Sequence, residues 1–317
     1  MASEEQQIGN IAFSVVIPLY NKEKYIRKTI KSVLLQTYPF FEVIVVDDGS
    51  TDRGVEMVEE GGDERVRLIR QENSGVSVAR NRGVVEAKEQ YIAFLDADDY
   101  WHPMFLQRMA EIIACYPGAG LYASRYAEVV NGKLHPFDLR LASDFIHGYI
   151  SYFELYAKTF LSPVWTSAVV IPKKVFSSAG GFTPGVRAGE DIMLWIKIAL
   201  KESVVYLNEI LAYYNNDVIQ GERLSKKLYG PGEHYIFSVN GLKDRQNKSE
   251  VYLIDGLILR TLRPYYALGF YPQETREVID KVDFHLHPLT YKIYYHLPTW
   301  CVKFVYLFFK KVRSLLS

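Results

Sequence analysis

Cysteine is nearly absent from this chain. Cys115 and Cys301 are the two present, too few and too far apart for a disulfide framework or a Cys-x-x-Cys metal site. Net charge is missing as well. Lys and Arg number 37 against 37 Asp and Glu, so the basic footprint of a nucleic-acid binder is not there. No Gly-x-Gly-x-x-Gly follows the first apolar run, which removes the dinucleotide fingerprint of a dehydrogenase. Internal repeats and low-complexity tracts are absent. Residues Met1 to Gln7 are polar and acidic, without the basic and apolar regions of a secretion signal, so a cytoplasmic protein is expected. What the chain does have is 49% apolar and 23% charged residues, enough for a substantial core. Its 317 residues fit one large domain or a domain with an extension, at ~100–200 residues per domain.

Apolar runs alternate with helical periodicity through the first third. Strands are expected at Ser14–Pro18, Phe41–Val46, Val66–Ile69 and Tyr91–Leu95. Helices are expected at Glu23–Leu35, Ser74–Ala87 and Met104–Cys115. In the second of these, Ala79, Gly83 and Ala87 recur four apart and allow close packing. Such alternation indicates an α/β fold with a mostly parallel, Rossmann-like sheet flanked by helices. Ligands of such sheets bind outside the carboxyl ends of the strands. Three polar segments sit at those ends: Pro18-Leu-Tyr20-Asn21, Asp47-Asp48, and Asp96-Ala-Asp98-Asp99. Beyond residue 120 the pattern turns irregular and aromatic. A strand is then expected over Val164–Ile171, a short helix from Lys173, and an amphipathic helix opened by Gly189-Glu190-Asp191. A polar, glycine-containing loop follows from Asn215, past Gly221 to Gly230-Pro-Gly232, and a helix over Val251–Leu262 begins an extension. The domain reading is a polar tail 1–10, a main domain 11–215, and a mainly helical extension 216–317.

Asp96, Asp98 and Asp99 arrive within four positions at the end of a buried strand. Oxygen ligands on a short loop suit Mg²⁺ or Mn²⁺, typically held by one or two carboxylates together with substrate phosphates. The competing reading is an acidic turn that caps the next helix, with Pro103 at a first helical position. His102, His285 and His287 find no matching ligand set and are read as structural.

These blocks together resemble the inverting glycosyltransferases of family 2, which have a GT-A fold. The matching pieces are Ser14-Val-Val-Ile-Pro-Leu-Tyr-Asn21, Gln36-Thr-Tyr-Pro39, Val43-Ile-Val-Val-Asp-Asp-Gly-Ser-Thr-Asp52, Asn73-Ser-Gly75 with Ala79-Arg-Asn-Arg-Gly83, Leu95-Asp-Ala-Asp-Asp99, Gly180-Gly-Phe182, Gly189-Glu-Asp191 and Leu194-Trp195. Each is weak alone, and their joint occurrence in order is specific. The resemblance covers residues 13 to about 200. It implies sugar transfer from a nucleotide-sugar donor, by default a UDP-sugar with GDP and dTDP as alternatives, to an acceptor hydroxyl of a glycan or glycolipid, with inversion. By the family's pattern Pro18, Tyr20, Asn21 and Asp48 would line the nucleoside pocket, and Arg80 would approach the base or diphosphate. Asp96 would lie near the ribose, Asp98 would ligate the divalent ion, and Asp191 would be the general base. Glu190, Trp195 and Trp165 would shape the acceptor side. The bland readings are helix capping for Asp191 and core packing for Trp165 and Trp195.

Two rival functions stand beside this one. An apolar strand followed by Asp-x-Asp also opens the haloacid-dehalogenase-type phosphohydrolases, and a sugar-binding module can retain a catalytic fold without activity. The C-terminal stretch Tyr291–Ser317 mixes aromatics and leucines with Lys303, Lys310, Lys311 and Arg313. Its longest fully apolar run, Phe304–Phe309, is far short of the ~20 residues that cross a bilayer. Two readings fit: a helix lying in the headgroup region at the inner face of the membrane, or a helix packed on the protein's own core with its lysine stems snorkelling.

Overall fold

The structure, a computed structural model, describes residues 8–217, 227–244 and 246–316, the last segment with side chains as far as Phe308. The tail before Ile8 and the loop around Gly221 lie outside the described residues. Two compact units divide between Leu224 and Ser225.

The first unit opens with β1 (Phe13–Leu19), α1 (Ile26–Leu34), β2 (Phe41–Asp47), α2 (Gly54–Glu59), β3 (Val66–Arg70), α3 (Val76–Glu86) and β4 (Tyr91–Phe94). It continues through β5 (Tyr100–Trp101), α4 (Phe105–Cys115), β6 (Leu121–Val130), β7 (Lys133–Pro136), β8 (His147–Ile150) and α5 (Tyr152–Thr159). A 3₁₀ turn at Thr166–Ala168 leads into β9 (Val169–Pro172), α6 (Lys173–Ser178), α7 (Glu190–Ala199) and β10 (Val204–Asn215). The strands form one sheet in the order β3-β2-β1-β4-β9-β6-β10-β5, with β7 on β6 and β8 on β10.

The first four strands are parallel, and β1, β2 and β4 carry the near-continuous apolar runs of strands covered by helices on both faces. Every residue of β1 is buried. Helix α3 lies directly on β1: a methyl group at Gly83 would sit 2.3 Å from a Val16 methyl, so that contact needs a glycine. Because β1 pairs with β2 from Phe13–Phe41 to Leu19–Asp47 and with β4 in the same sense, all three carboxyl ends finish at one edge.

The remainder of the sheet is mixed. The segment expected as one strand over 164–171 is broken by the 3₁₀ turn, and only Val169–Pro172 pairs, antiparallel to β4 and β6. The longest strands, β6 in the stretch read as irregular and β10 where no element was expected, run parallel to each other, with a register break between Leu207 and Ala212.

The second unit holds α8 (Lys248–Thr261), α9 (Arg263–Leu268), α10 (Pro272–Ile279), α11 (Leu289–His296) and α12 (Thr299–Leu316). Helix α8 starts before the expected Val251 because Asn247 caps it, accepting from the backbone N–H groups of Ser249 and Glu250. Inside this unit Lys243 and Asp255 form a buried ion pair at 2.6 Å.

Candidate functional site

The loops after β1 and β2 are clasped to each other. Asn21 takes a left-handed backbone conformation (φ 51°), which asparagine tolerates better than most residues. Its backbone N–H donates to Ser50 Oγ at 3.1 Å. Its Oδ1 accepts from the Thr51 N–H at 2.8 Å and the Asp52 N–H at 3.4 Å. Asp52 in turn accepts from Glu23 N–H and Gly54 N–H. Asn21, expected to line the nucleoside pocket, fastens the two loops that edge it.

Asp48 is buried and anchors the next turn. Gln71 Nε2 donates to Oδ1 at 2.7 Å, Ser74 N–H to Oδ1 at 2.9 Å, and Gly75 N–H to Oδ2 at 2.8 Å. A carboxylate offers about four acceptor directions, so one remains on Oδ2 for an incoming donor. Pro18 is buried in β1 opposite Val46, while Tyr20 is 48% exposed at the strand's end.

The three carboxylates after β4 separate into three environments. Asp96 Oδ1 accepts from Arg80 Nη2 at 2.6 Å. Asp98, 23% exposed, pairs with Lys22 Nζ at 2.8 Å. Asp99 turns inward: Oδ2 accepts from Ser167 Oγ at 2.6 Å and Trp165 Nε1 at 3.1 Å, and Oδ1 accepts from the Asn215 N–H at 3.0 Å. Burial, followed by the charges of Asp98 and Asp96, pushes the Asp99 carboxyl well above its ordinary range. Asp99 is thus a structural tie between the loop and the end of β10. No group of three or more His, Cys, Asp or Glu side chains among the described residues converges on a metal site. A partly open Asp98 at this edge instead fits a divalent ion shared with substrate phosphates, the arrangement magnesium favours.

Arg80, on α3, is 4% exposed and forks between two carboxylates. Nη2 reaches Asp96, and Nη1 reaches Glu190 Oε1 at 3.0 Å, with the guanidinium 5.0 Å from the Phe182 ring centre. Burial opposes its charge, yet Asp96 and Glu190 outweigh that and hold its pKa above the ordinary value. Arg80, expected to approach a base or diphosphate, has both terminal nitrogens on carboxylates here, because a buried cation needs paired anions.

Asp191 follows Glu190 in the first turn of α7, which starts at left-handed Gly189 (φ 71°). Thr166 Oγ1 donates to Asp191 Oδ2 at 3.2 Å, and the Ile192 N–H donates to Oδ1 at 2.7 Å. Burial first, then the adjacent Glu190, push the Asp191 carboxyl up to about 6, against the pull of Arg80.

Three consecutive residues brace this arrangement. Trp165 holds Asp99, Thr166 holds Asp191, and Ser167 donates to Asp99 while accepting from the Asp96 N–H at 3.1 Å. Sequence reasoning missed Thr166 and Ser167, and their signal was there: a polar pair inside the apolar run Val164–Ile171. Lys22 was also missed, and no local pattern marks it. Trp165 is half-buried against Tyr126 (centroids 5.7 Å apart) and Tyr214 (4.6 Å). Trp195 was expected to shape the acceptor side. It is fully buried, edge-on to Phe182 at 6.0 Å, where its size fills core behind the Arg80 cluster. His102 Nδ1 accepts from the Met104 N–H just ahead of α4, and His287 stacks on Tyr252.

Residues 14–164 match the family model described as glycosyl transferase family 2. A putative teichuronic acid biosynthesis glycosyltransferase of Bacillus subtilis, TuaG, is 32% identical over 68% of this chain and 85% of its own length. Glycosyltransferase GlyA of Streptococcus pneumoniae is 32% identical over 63% of this chain, which spans only 30% of that longer protein. Among solved structures, S. aureus TarS 1–349 in complex with UDP-GlcNAc superposes with a TM-score of 0.72, covering 87% of this chain and 83% of that one at 19% identity. At that identity the likeness establishes a shared fold.

Proposed function

This chain belongs to glycosyl transferase family 2 and is a glycosyltransferase, and from that premise we propose that it moves a sugar from a UDP-sugar to an acceptor hydroxyl by a single, inverting displacement. The observation that carries this reading is the Arg80 fork. One buried guanidinium joins Asp96, beside the candidate metal ligand, to Glu190, beside the candidate base. The two halves of the reaction are thereby held in register.

The UDP moiety lies along the edge formed by the loops after β1, β2 and β4. Tyr20 packs on the nucleoside, and the open acceptor position on Asp48 Oδ2 takes a base N–H. Asp98 holds Mg²⁺ or Mn²⁺ together with the diphosphate, and that ion, when bound, offsets the charge on the departing UDP. Asp191 accepts the proton of the acceptor hydroxyl as the bond to the sugar forms, from the face opposite the leaving group. A carboxyl raised to about 6 is ionised at neutral pH yet basic enough for that role. The acceptor is a growing glycan or a lipid-linked sugar of the cell envelope, reached from the cytoplasmic side with residues 291–317 in peripheral contact with the membrane. The UDP-GlcNAc complex of TarS and the teichuronic acid relative support the donor and acceptor classes. The phosphohydrolase alternative has no support from the fold, and the family removes the inactive-module alternative.

The test is a panel of UDP-, GDP- and dTDP-sugars screened by thermal shift with and without Mn²⁺, then by turnover. A ligand of the native state raises the midpoint by mass action. A UDP-sugar that stabilises only with Mn²⁺, and whose anomeric configuration is inverted in the product, is the expected result. Retention of configuration would rule the mechanism out.

A further inference from the structure

From Phe284 onward the sequence contains no Asp or Glu, and it carries Lys292, Lys303, Lys310, Lys311 and Arg313. In the same stretch α11 and α12 turn large apolar side chains outward. Trp300 is 74% exposed and Phe304 is 73% exposed, one helical turn apart, and Leu289, Ile293 and Leu297 continue the exposed series on α11 and the link beyond it. These helices already have an inward face that meets their packing needs. Tyr295 is fully buried and donates to the Leu259 carbonyl at 2.5 Å, and Val302 is 2% exposed. The outward aromatics are therefore surplus to the unit's own core. Among the described residues no helix is long and apolar enough to cross a membrane.

We propose that the outward face of α11 and α12 is a docking surface for an anionic lipid bilayer, with Trp300 and Phe304 entering the headgroup–acyl boundary and Lys303 facing the lipid phosphates. This deepens the membrane contact proposed above by naming the side chains and the lipid charge. Charge decides the occupant. A second copy of this chain laid on the same face would bring the exposed Lys292 and Lys303 against their own counterparts, with no acidic residue in that stretch to answer them. An anionic surface answers all of them, and cations near it each contribute favourably. Tryptophan and phenylalanine next to lysine are the composition suited to that depth.

The experiment uses the full chain and vesicles of phosphatidylcholine alone or mixed with phosphatidylglycerol. Wild type pellets with the mixed vesicles, and added salt weakens this because surface charge is screened over about 8 Å at physiological ionic strength. The double variant W300S/F304S lowers the partition coefficient about a hundredfold, on the order of tenfold per lost aromatic. K303S lowers it about fivefold. Both variants keep the wild-type circular dichroism and turnover on a soluble acceptor, since neither residue belongs to the catalytic edge. Trp101 and Trp195 are buried and Trp165 is half-buried, so a blue shift in emission on mixed vesicles reports Trp300 and disappears in W300F. Equal pelleting on neutral vesicles, or equal pelleting of the double variant, overturns the proposal. So does a vesicle-free dimer that W300S/F304S disperses, which would make the face a contact between copies. None of these readouts depends on catalysis, so a failed membrane assay leaves the reaction assignment standing, and the converse holds.

Discussion

Two carboxylates at the candidate site are held in opposite ways. Asp48, after β2, is locked by two backbone N–H groups and the Gln71 amide. Asp191, at the start of α7, has one hydroxyl and the N–H of its own neighbour, and it shares its surroundings with Glu190 and Asp96. Backbone donors cannot leave, so the side proposed for the sugar donor is pre-set before substrate arrives. The side proposed for the base keeps its carboxylate among like charges, with Arg80 between them. A group proposed to pick up a proton is served by this setting, because burial first and then repulsion from Glu190 raise its proton affinity. One side of the site is built to stay and the other to titrate.

The strongest way to break this comparison is Asp191→Asn, which keeps size and helix capping while removing proton acceptance. Turnover is expected to fall about 10²–10⁴-fold, with UDP affinity unchanged in calorimetry. Turnover within a few-fold of wild type would move the base elsewhere, with Glu190 next. Arg80→Ala comes second. It leaves Asp96 and Glu190 facing each other without their cation, and breaking a buried pair in this way costs about 3–5 kcal/mol. Urea unfolding measures it, and a loss below about 1 kcal/mol would show that the fork is replaceable by water.

Asp48→Asn probes the rigid side. It removes a charged acceptor from two backbone N–H groups, for an expected loss of about 1.5–3 kcal/mol and weaker UDP binding. Wild-type UDP affinity in this variant would detach Asp48 from the nucleotide. Thr166→Val has the smallest expected effect and sharpens the comparison most. In the wild type kcat/KM should rise with pH through about 6, because the raised Asp191 carboxyl is protonated and inactive below that value. The Thr166 hydroxyl favours the ionised form, so its removal should shift this acid limb to higher pH with little loss at the plateau. The charged and titratable groups that face Asp191 are Glu190, Arg80 and Asp96, together with Tyr126 and Tyr156. An unmoved limb would show that Thr166 only fills space.

The same contrast separates what could be read along the chain from what could not. Strands β1, β2 and β4 were legible because parallel strands buried on both faces need uninterrupted apolar residues. The small face of α3 was legible because Gly83 leaves no room for a side chain over Val16. Strands β6 and β10 were not. Their sequences mix aromatics with Arg125, Glu128, Asn208 and Glu209, and the register break in β10 destroys any simple alternation. Their burial comes from each other, across some eighty residues that no local window spans.

Local sequence determined the first half of the sheet and the edge where polar loops gather, since period and burial set which way short segments run. It also determined the identity of the carboxylates, because so many acids at strand ends are poor core. Tertiary structure alone decided what each acid does. Asp96, Asp98 and Asp99 lie within four positions, yet one meets Arg80, one meets Lys22, and one turns into the core to Ser167 and Trp165. Those partners come from α3, the loop after β1, and the turn before β9. A carboxylate's role follows from the charge and the hydrogen-bond donors within a few ångströms of it, and folding brings those neighbours from distant parts of the chain.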